Sequence, residues 1–142
     1  MKKDVMVTVS GLQMTDTGDD TVEVITNGKY SRKDNKSFLR YEEVSAEMGA
    51  TKTVMSFDEH TLEVTRRGAV QLHMAFLQGQ KTMTNYATPF GSLLVGVDTT
   101  KYVVKETEDC IDIMVEYSLE LNHEFIADCR LKTKITPRNA KS

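Results

Sequence analysis

The chain has 142 residues, a length that suits one domain with a core large enough to need no staples. Its 18 basic and 21 acidic residues give a formal net charge of -3, too mild and of the wrong sign for nucleic acid as the main ligand. No run approaches the roughly 20 apolar residues a membrane helix needs, and Lys2-Lys3-Asp4 does not open a secretory signal. A cytoplasmic protein is expected.

Alternation with period two dominates from the start. Val5, Val7 and Val9 alternate with Met6, Thr8 and Ser10. Val22 and Val24 follow, and Gly28 before Tyr30 predicts a bulge or bend. Further runs are predicted over 36–45 (Phe38, Leu39, Tyr41), 51–57 (Thr51, Thr53, Met55, Phe57), 62–67 (Leu62, Val64) and 70–77 (Val70, Leu72, Met74, Phe76). The last three runs cover 92–97 (Leu93, Val95, Val97), 111–121 (Ile111 through Leu121) and 125–135 (Phe125 through Ile135). Turn signals separate them at Thr17-Gly18-Asp19, Lys33-Asp34-Asn35, Asp58-Glu59-His60, Gln78-Gly79, Pro89-Phe90-Gly91 and Asn122-His123. Glu43 to Ala50 could hold one short helical turn, ended by Gly49. No sustained helical period, repeat or linker is present, so residues 1–142 read as one all-β domain.

Two registers can be tested by charge. With Asn122, His123 and Glu124 as a loop, Leu121 faces Phe125, Leu119 faces Ala127, Tyr117 faces Cys129 and Val115 faces Leu131. The other face then sets Glu116 against Arg130 and Asp112 against Lys134, so both faces are satisfied together. The same exercise puts Phe57 opposite Leu62, Met55 opposite Val64 and Thr53 opposite Arg66. Cys110 then lies opposite Thr136, roughly 20 Å along the strand from Cys129 at about 3.3 Å per residue. Two free thiols are expected, with Cys129 a small core residue.

Eight to ten short strands joined by short loops predict an up-and-down meander of antiparallel strands, closed into a single β-barrel to remove its edges. A Greek-key sandwich would need longer connections, which only residues 13–20 and 46–50 offer. The strings Tyr41-Glu42-Glu43, Gly49-Ala50-Thr51-Lys52-Thr53, Arg66-Arg67-Gly68, Met74-Ala75-Phe76-Leu77-Gln78-Gly79, Tyr86-Ala87-Thr88-Pro89-Phe90-Gly91 and Tyr117-Ser118-Leu119-Glu120-Leu121-Asn122 occur in that order. Together they resemble the YwiB-like family of uncharacterised bacterial proteins, over nearly the whole chain. The resemblance implies a calycin (lipocalin)-like barrel, related in architecture to fatty-acid-binding proteins. It implies no activity and no catalytic residues.

Chemistry-bearing motifs are sparse. His60, His73 and His123 do not converge, and no zinc, P-loop, nucleophile-elbow or dinucleotide signature occurs, so no metal or cofactor is expected. Asp16, Asp19 and Asp20 around Gly18 lack a calcium loop's full spacing and read as a polar turn. Lys132, Lys134, Arg138 and Lys141 make the C-terminus locally basic, which reads as a solvated strand face and a tail.

One constellation stands out. Alternation points Arg66 inward with Leu62 and Val64, while Tyr41 and Glu43 share a face with Leu39, and Thr53 opposes Arg66. An inward Arg is costly unless paired. Either Glu43 neutralises it, with tyrosine hydroxyls completing the network, or the lumen holds a small amphipathic molecule. In the second case its anionic head meets Arg66 and Tyr41 and its tail lies against Met55, Met74 and Phe76. Tyr86 and Tyr117 would also point in, and Tyr86 and Phe90 would touch a ligand entering at the 86–91 turn. Three readings follow: a non-enzymatic binding barrel, a protein-interaction module with a filled barrel (a homodimer among its forms), and an enzyme using Glu43 or Glu42 with Tyr41.

Overall fold

The structure is a computed structural model and describes residues 3–15, 18–45, 49–68 and 71–138. Ten strands follow one another: β1 (Asp4–Thr15), β2 (Gly18–Lys33), β3 (Lys36–Ser45), β4 (Gly49–Phe57), β5 (Thr61–Arg67), β6 (Gln71–Leu77), β7 (Lys81–Thr88), β8 (Gly91–Glu106), β9 (Ile111–Leu121) and β10 (Glu124–Pro137). Each pairs antiparallel with its sequence neighbour, and β1 pairs with β10, closing an up-and-down barrel. Among the described residues no helix is long and apolar enough to cross a membrane.

Both tested registers hold. β9 and β10 pair Leu119 with Ala127, Tyr117 with Cys129, Glu116 with Arg130 and Asp112 with Lys134. β4 and β5 pair Phe57 with Leu62, Met55 with Val64 and Thr53 with Arg66. Both cysteines are free, and Cys129 is buried. The β9–β10 turn differs in detail. Asn122 and His123 alone form it, at φ 51 and 68, so Leu121 pairs with Glu124 and a bulge between Phe125 and Ala127 restores the register. A two-residue turn with both φ positive matches the strand twist better than a three-residue loop, at the cost of one bulge. Phe125 is thereby turned outward.

Other expectations are corrected. Gly28 makes no bulge: it pairs in step with both Val5 and Tyr41, and a Cβ there would stand 2.8 Å from Val7 Cγ2. Its role is close approach of β2 to β1 and β3. Residues 43–45 and 49–50 are strand, not a helical turn. Residues 46–48 lie outside the described residues, as do Asp16, Thr17, Val70 and Lys141. β7 had no predicted run, because its inward residues are Thr82, Thr84 and Tyr86 rather than an apolar series. β8 continues past 97 to Glu106 through a bulge between Thr99 and Lys101 that switches which parity faces in.

The core fills one half of the barrel. Val5, Val7, Leu39, Phe57, Leu62, Phe76, Ile111 and Ile135 are all within 2% of complete burial. This end is sealed by its turns. Asp58 Oδ1 accepts from the His60 and Thr61 amides at 2.8 and 2.9 Å, and the Tyr102 hydroxyl donates to the Asp58 carbonyl at 2.6 Å. The wall is uneven. Between β6 and β7 only Gln71 and Ala87 pair among the described residues, and the Thr82 hydroxyl substitutes by donating to the Ala75 carbonyl at 2.7 Å. Between β2 and β3 the ladder ends at Gly28–Tyr41; residues 18–27 pair only with β1, and residues 42–45 only with β4.

Candidate functional site

Inward side chains at the opposite end do not meet across the barrel. They leave a chamber of about 540 Å³ opening toward Gly11, Leu12, Gln13, Thr21, Val22 and Glu43. Tyr41, Glu43, Met55, Arg66, Met74 and Tyr117 all line it, as their alternation predicts. Val9, Val24, Val64, Cys129 and Leu131 complete an apolar wall that the candidate set had not included. Of these, Val24, Val64 and Leu131 share the inward parity of residues already placed, so alternation alone could have added them.

Three expected residues sit elsewhere. Thr53 is 1% exposed, between Tyr41 and Arg66 in the register, and is not on the chamber wall. Phe76 lies below, wholly buried, with its ring edge-on to Tyr117 at 4.9 Å between centroids. Tyr86 packs against the core from β7 without reaching the chamber.

Arg66 and Glu43 meet: Nη2 to Oε1 is 3.6 Å, and the side chains are 42% and 28% exposed. The interior cation therefore has an internal partner, held loosely at the chamber mouth rather than clamped in the core. Thr53 Oγ1 stands beside the Tyr41 phenol, without a hydrogen bond of normal geometry. Burial pushes the Tyr41 phenol up to about 12; the Glu43 charge adds to this and Arg66 pulls it back. Burial also raises Tyr102 and Tyr117, and raises the Cys129 thiol beside Tyr117. A raised thiol has little thiolate, so Cys129 is an unreactive wall residue.

These phenols set an alkaline limit. A phenol titrates near 10 in the unfolded chain and later in the fold. Its stabilising contribution is therefore complete below about pH 10 and is lost as pH climbs toward the folded value. Tyr41 alone should remove on the order of 2 kcal/mol between about pH 9 and pH 12. Urea unfolding across that range should show Tyr41→Phe losing less stability than the parent; equal losses would contradict the burial of this phenol.

The remaining polar expectations are dispersed. His73 faces outward and its Nδ1 is 2.9 Å from Thr65 Oγ1, while His60 and His123 occupy turns at opposite ends. Among the described residues no group of three His, Cys, Asp or Glu side chains could hold a metal ion. The end of the barrel at which the chamber opens carries exposed apolar side chains. Of the large hydrophobic side chains that stay exposed, Met14, Val22, Val44, Phe90, Phe125 and Ile126 all belong to this end of the barrel.

The fold and site together define a ten-stranded antiparallel barrel, packed solid in one half and open as a chamber in the other, in keeping with a calycin-like plan. The chain belongs to the family described as a domain of unknown function, DUF1934, whose model matches residues 7–133. The uncharacterized beta-barrel protein YwiB of Bacillus subtilis (strain 168) is 29% identical over 126 residues, covering 87% of this chain and 88% of that protein. The crystal structure of YwiB from Bacillus subtilis matches with a TM-score of 0.85 at 24% identity, covering 98% of this chain and 96% of that one. That likeness speaks to the fold.

Proposed function

We propose that the protein is a cytoplasmic, non-enzymatic binding barrel that holds one small amphipathic molecule in its open half. The observation that carries this is the chamber itself: about 540 Å³, walled by Met55, Val64, Met74 and Leu131, with the Arg66–Glu43 pair at its mouth. Small-molecule sites have this size and this ratio of apolar wall to polar anchor. The tail lies against the methionines, which adapt to irregular chains. The polar end reaches Arg66, whose guanidinium keeps unused donors beside Glu43, and the neutral Tyr41 hydroxyl. Val22, exposed on the chamber wall, gives the tail an apolar path in. Glu43, engaged by Arg66, is poorly placed as a catalytic carboxylate, which speaks against an enzyme that would use it.

The exposed apolar side chains at this end favour a second reading, a protein contact at the mouth, with a second copy of the chain as the simplest partner. Native mass spectrometry of the purified protein separates the two. A mass increment of a few hundred daltons on a monomer supports the chamber, and a dimer without one supports the contact. Titration with anilinonaphthalene sulfonate, an anionic amphipathic probe, should saturate at one site. Met74→Trp, which fills the chamber, should weaken it at least about tenfold with the melting temperature kept. Probe binding that ignores Met74→Trp would sink the chamber reading.

A further inference from the structure

Outside the wall, on the far side of Tyr41 from the chamber, the outer faces of β2, β3, β4 and β5 form a groove of about 670 Å³. Five cations line it, Lys29, Arg40, Lys52, Arg67 and Arg138, against two carboxylates, Asp4 and Glu42. That is a surplus of three positive charges on a chain whose net charge is -3, so the rest of the molecule carries a surplus of six negative ones.

The arrangement runs against the pattern of the remaining surface. Elsewhere outward cross-strand partners are complementary: Glu116 with Arg130 and Lys101, Asp112 with Lys134 and Lys105, Asp98 with Lys81. In the groove each lysine has a carboxylate on one side and an arginine on the other: Lys29 stands between Asp4 and Arg40, and Lys52 between Glu42 and Arg67. Like charges directly across a ladder destabilise a sheet. A third such pair, Lys33 and Lys36, flanks a turn, and there Lys36 is drawn to Glu63 at 3.8 Å. Within the groove Lys29 pairs with Asp4, but Arg40, Lys52, Arg67 and Arg138 make no ion pair among the described residues.

We infer that this groove is a binding site for a small oligoanion, a molecule carrying phosphate or several carboxylates. Two arginine forks flanking a lysine suit phosphate oxygens, which they bind bidentately while the lysine supplies a point charge. The neutralised cations would then no longer repel one another. Size and field favour a compact ligand over nucleic acid, because an extended polyanion would run onto the acidic remainder. The groove lies on the opposite face of the wall from the chamber and shares only Tyr41 with it.

Calorimetric titration with inorganic pyrophosphate at low salt tests it. Saturable 1:1 binding is expected, weakening as salt shortens the screening length. Lys52→Gln and Arg67→Gln should each lower affinity about tenfold, whereas Arg130→Gln, which removes a cation already paired with Glu116, should leave it unchanged. Without ligand, Lys52→Gln should shift the melting temperature by less than about 2 °C, since it removes both the attraction to Glu42 and the repulsion from Arg67, so lost binding is not lost folding. Vesicles with and without phosphatidylglycerol form a second arm. Pyrophosphate binding marks a soluble ligand; vesicle binding alone, with the same dependence on Lys52 and Arg67, marks a lipid headgroup. Binding to neither, or binding indifferent to both substitutions, overturns the proposal. The chamber probe should bind the Lys52 and Arg67 variants as before, so failure here leaves that reading standing.

Discussion

Replacing Phe76 with alanine is expected to cost about 3–5 kcal/mol of folding free energy, the largest effect of any single side chain considered. Phe76 is wholly buried on β6, opposite Leu62 and edge-on to Tyr117. Burial of a ring this size would be costly to lose anywhere in the core. Here the strand it anchors has little else to hold one of its edges. Among the described residues β6 shares a single paired position with β7, besides the Thr82 hydrogen bond to Ala75, so on that side the inner face more than the ladder keeps it in the wall. Removing the ring deletes the main apolar contact and deepens the chamber floor at once. Phe76→Leu, which keeps most of the volume, should cost far less, about 1 kcal/mol. Urea midpoints at constant slope would measure both. A loss under about 1 kcal/mol for the alanine variant would mean that β6 is secured by something other than this packing.

The expected difference between those two variants rests on depth in the barrel, and depth is where sequence reading stopped. Parity is legible in a strand because the side-chain period is two. It placed Tyr41, Glu43, Arg66, Met55, Met74 and Tyr117 inward, and all six line the chamber. The β9–β10 register was legible because both faces constrain it: slipping one residue would set Glu116 among apolar partners. Parity says nothing of height. Phe76 and Tyr86 also face in, yet the stagger of the closed barrel carries them away from the chamber, and stagger follows from all ten registers together. β7 was invisible for a different reason, since Thr82 and Thr84 occupy its inward positions. The second half of β8 was hidden by the bulge after Thr99, which moves Tyr102 and Val104 onto the opposite parity from Val95 and Val97. The outer groove could not be seen from single strands, because its charges gather only when four strands lie side by side.

Glu43→Gln is expected to tighten binding of an anionic amphipathic probe about tenfold, and Arg66→Gln to weaken it by at least as much. The Arg66–Glu43 pair is long and half in solvent, so it contributes at most about 1 kcal/mol to stability. An incoming carboxylate or sulfonate could take over Arg66 at little cost in folding energy. Its obstacle is the Glu43 charge that remains a few ångströms away. Repulsion of two such anions reaches about 4 kcal/mol at 4 Å under an effective dielectric near 20, and solvent at the mouth reduces it to roughly 1–2 kcal/mol. Removing that charge while keeping the shape therefore returns about a tenfold gain. Arg66→Gln removes the attraction and leaves the repulsion. Tyr41 contributes equally in every variant, because its phenol, pushed up to about 12, stays a neutral donor at neutral pH. Folding stability should move by less than about 1 kcal/mol in both cases, which separates binding from unfolding. Should Glu43→Gln leave probe affinity unchanged, Arg66 would be a structural partner of Glu43 alone, and the head of any ligand would lie elsewhere in the chamber.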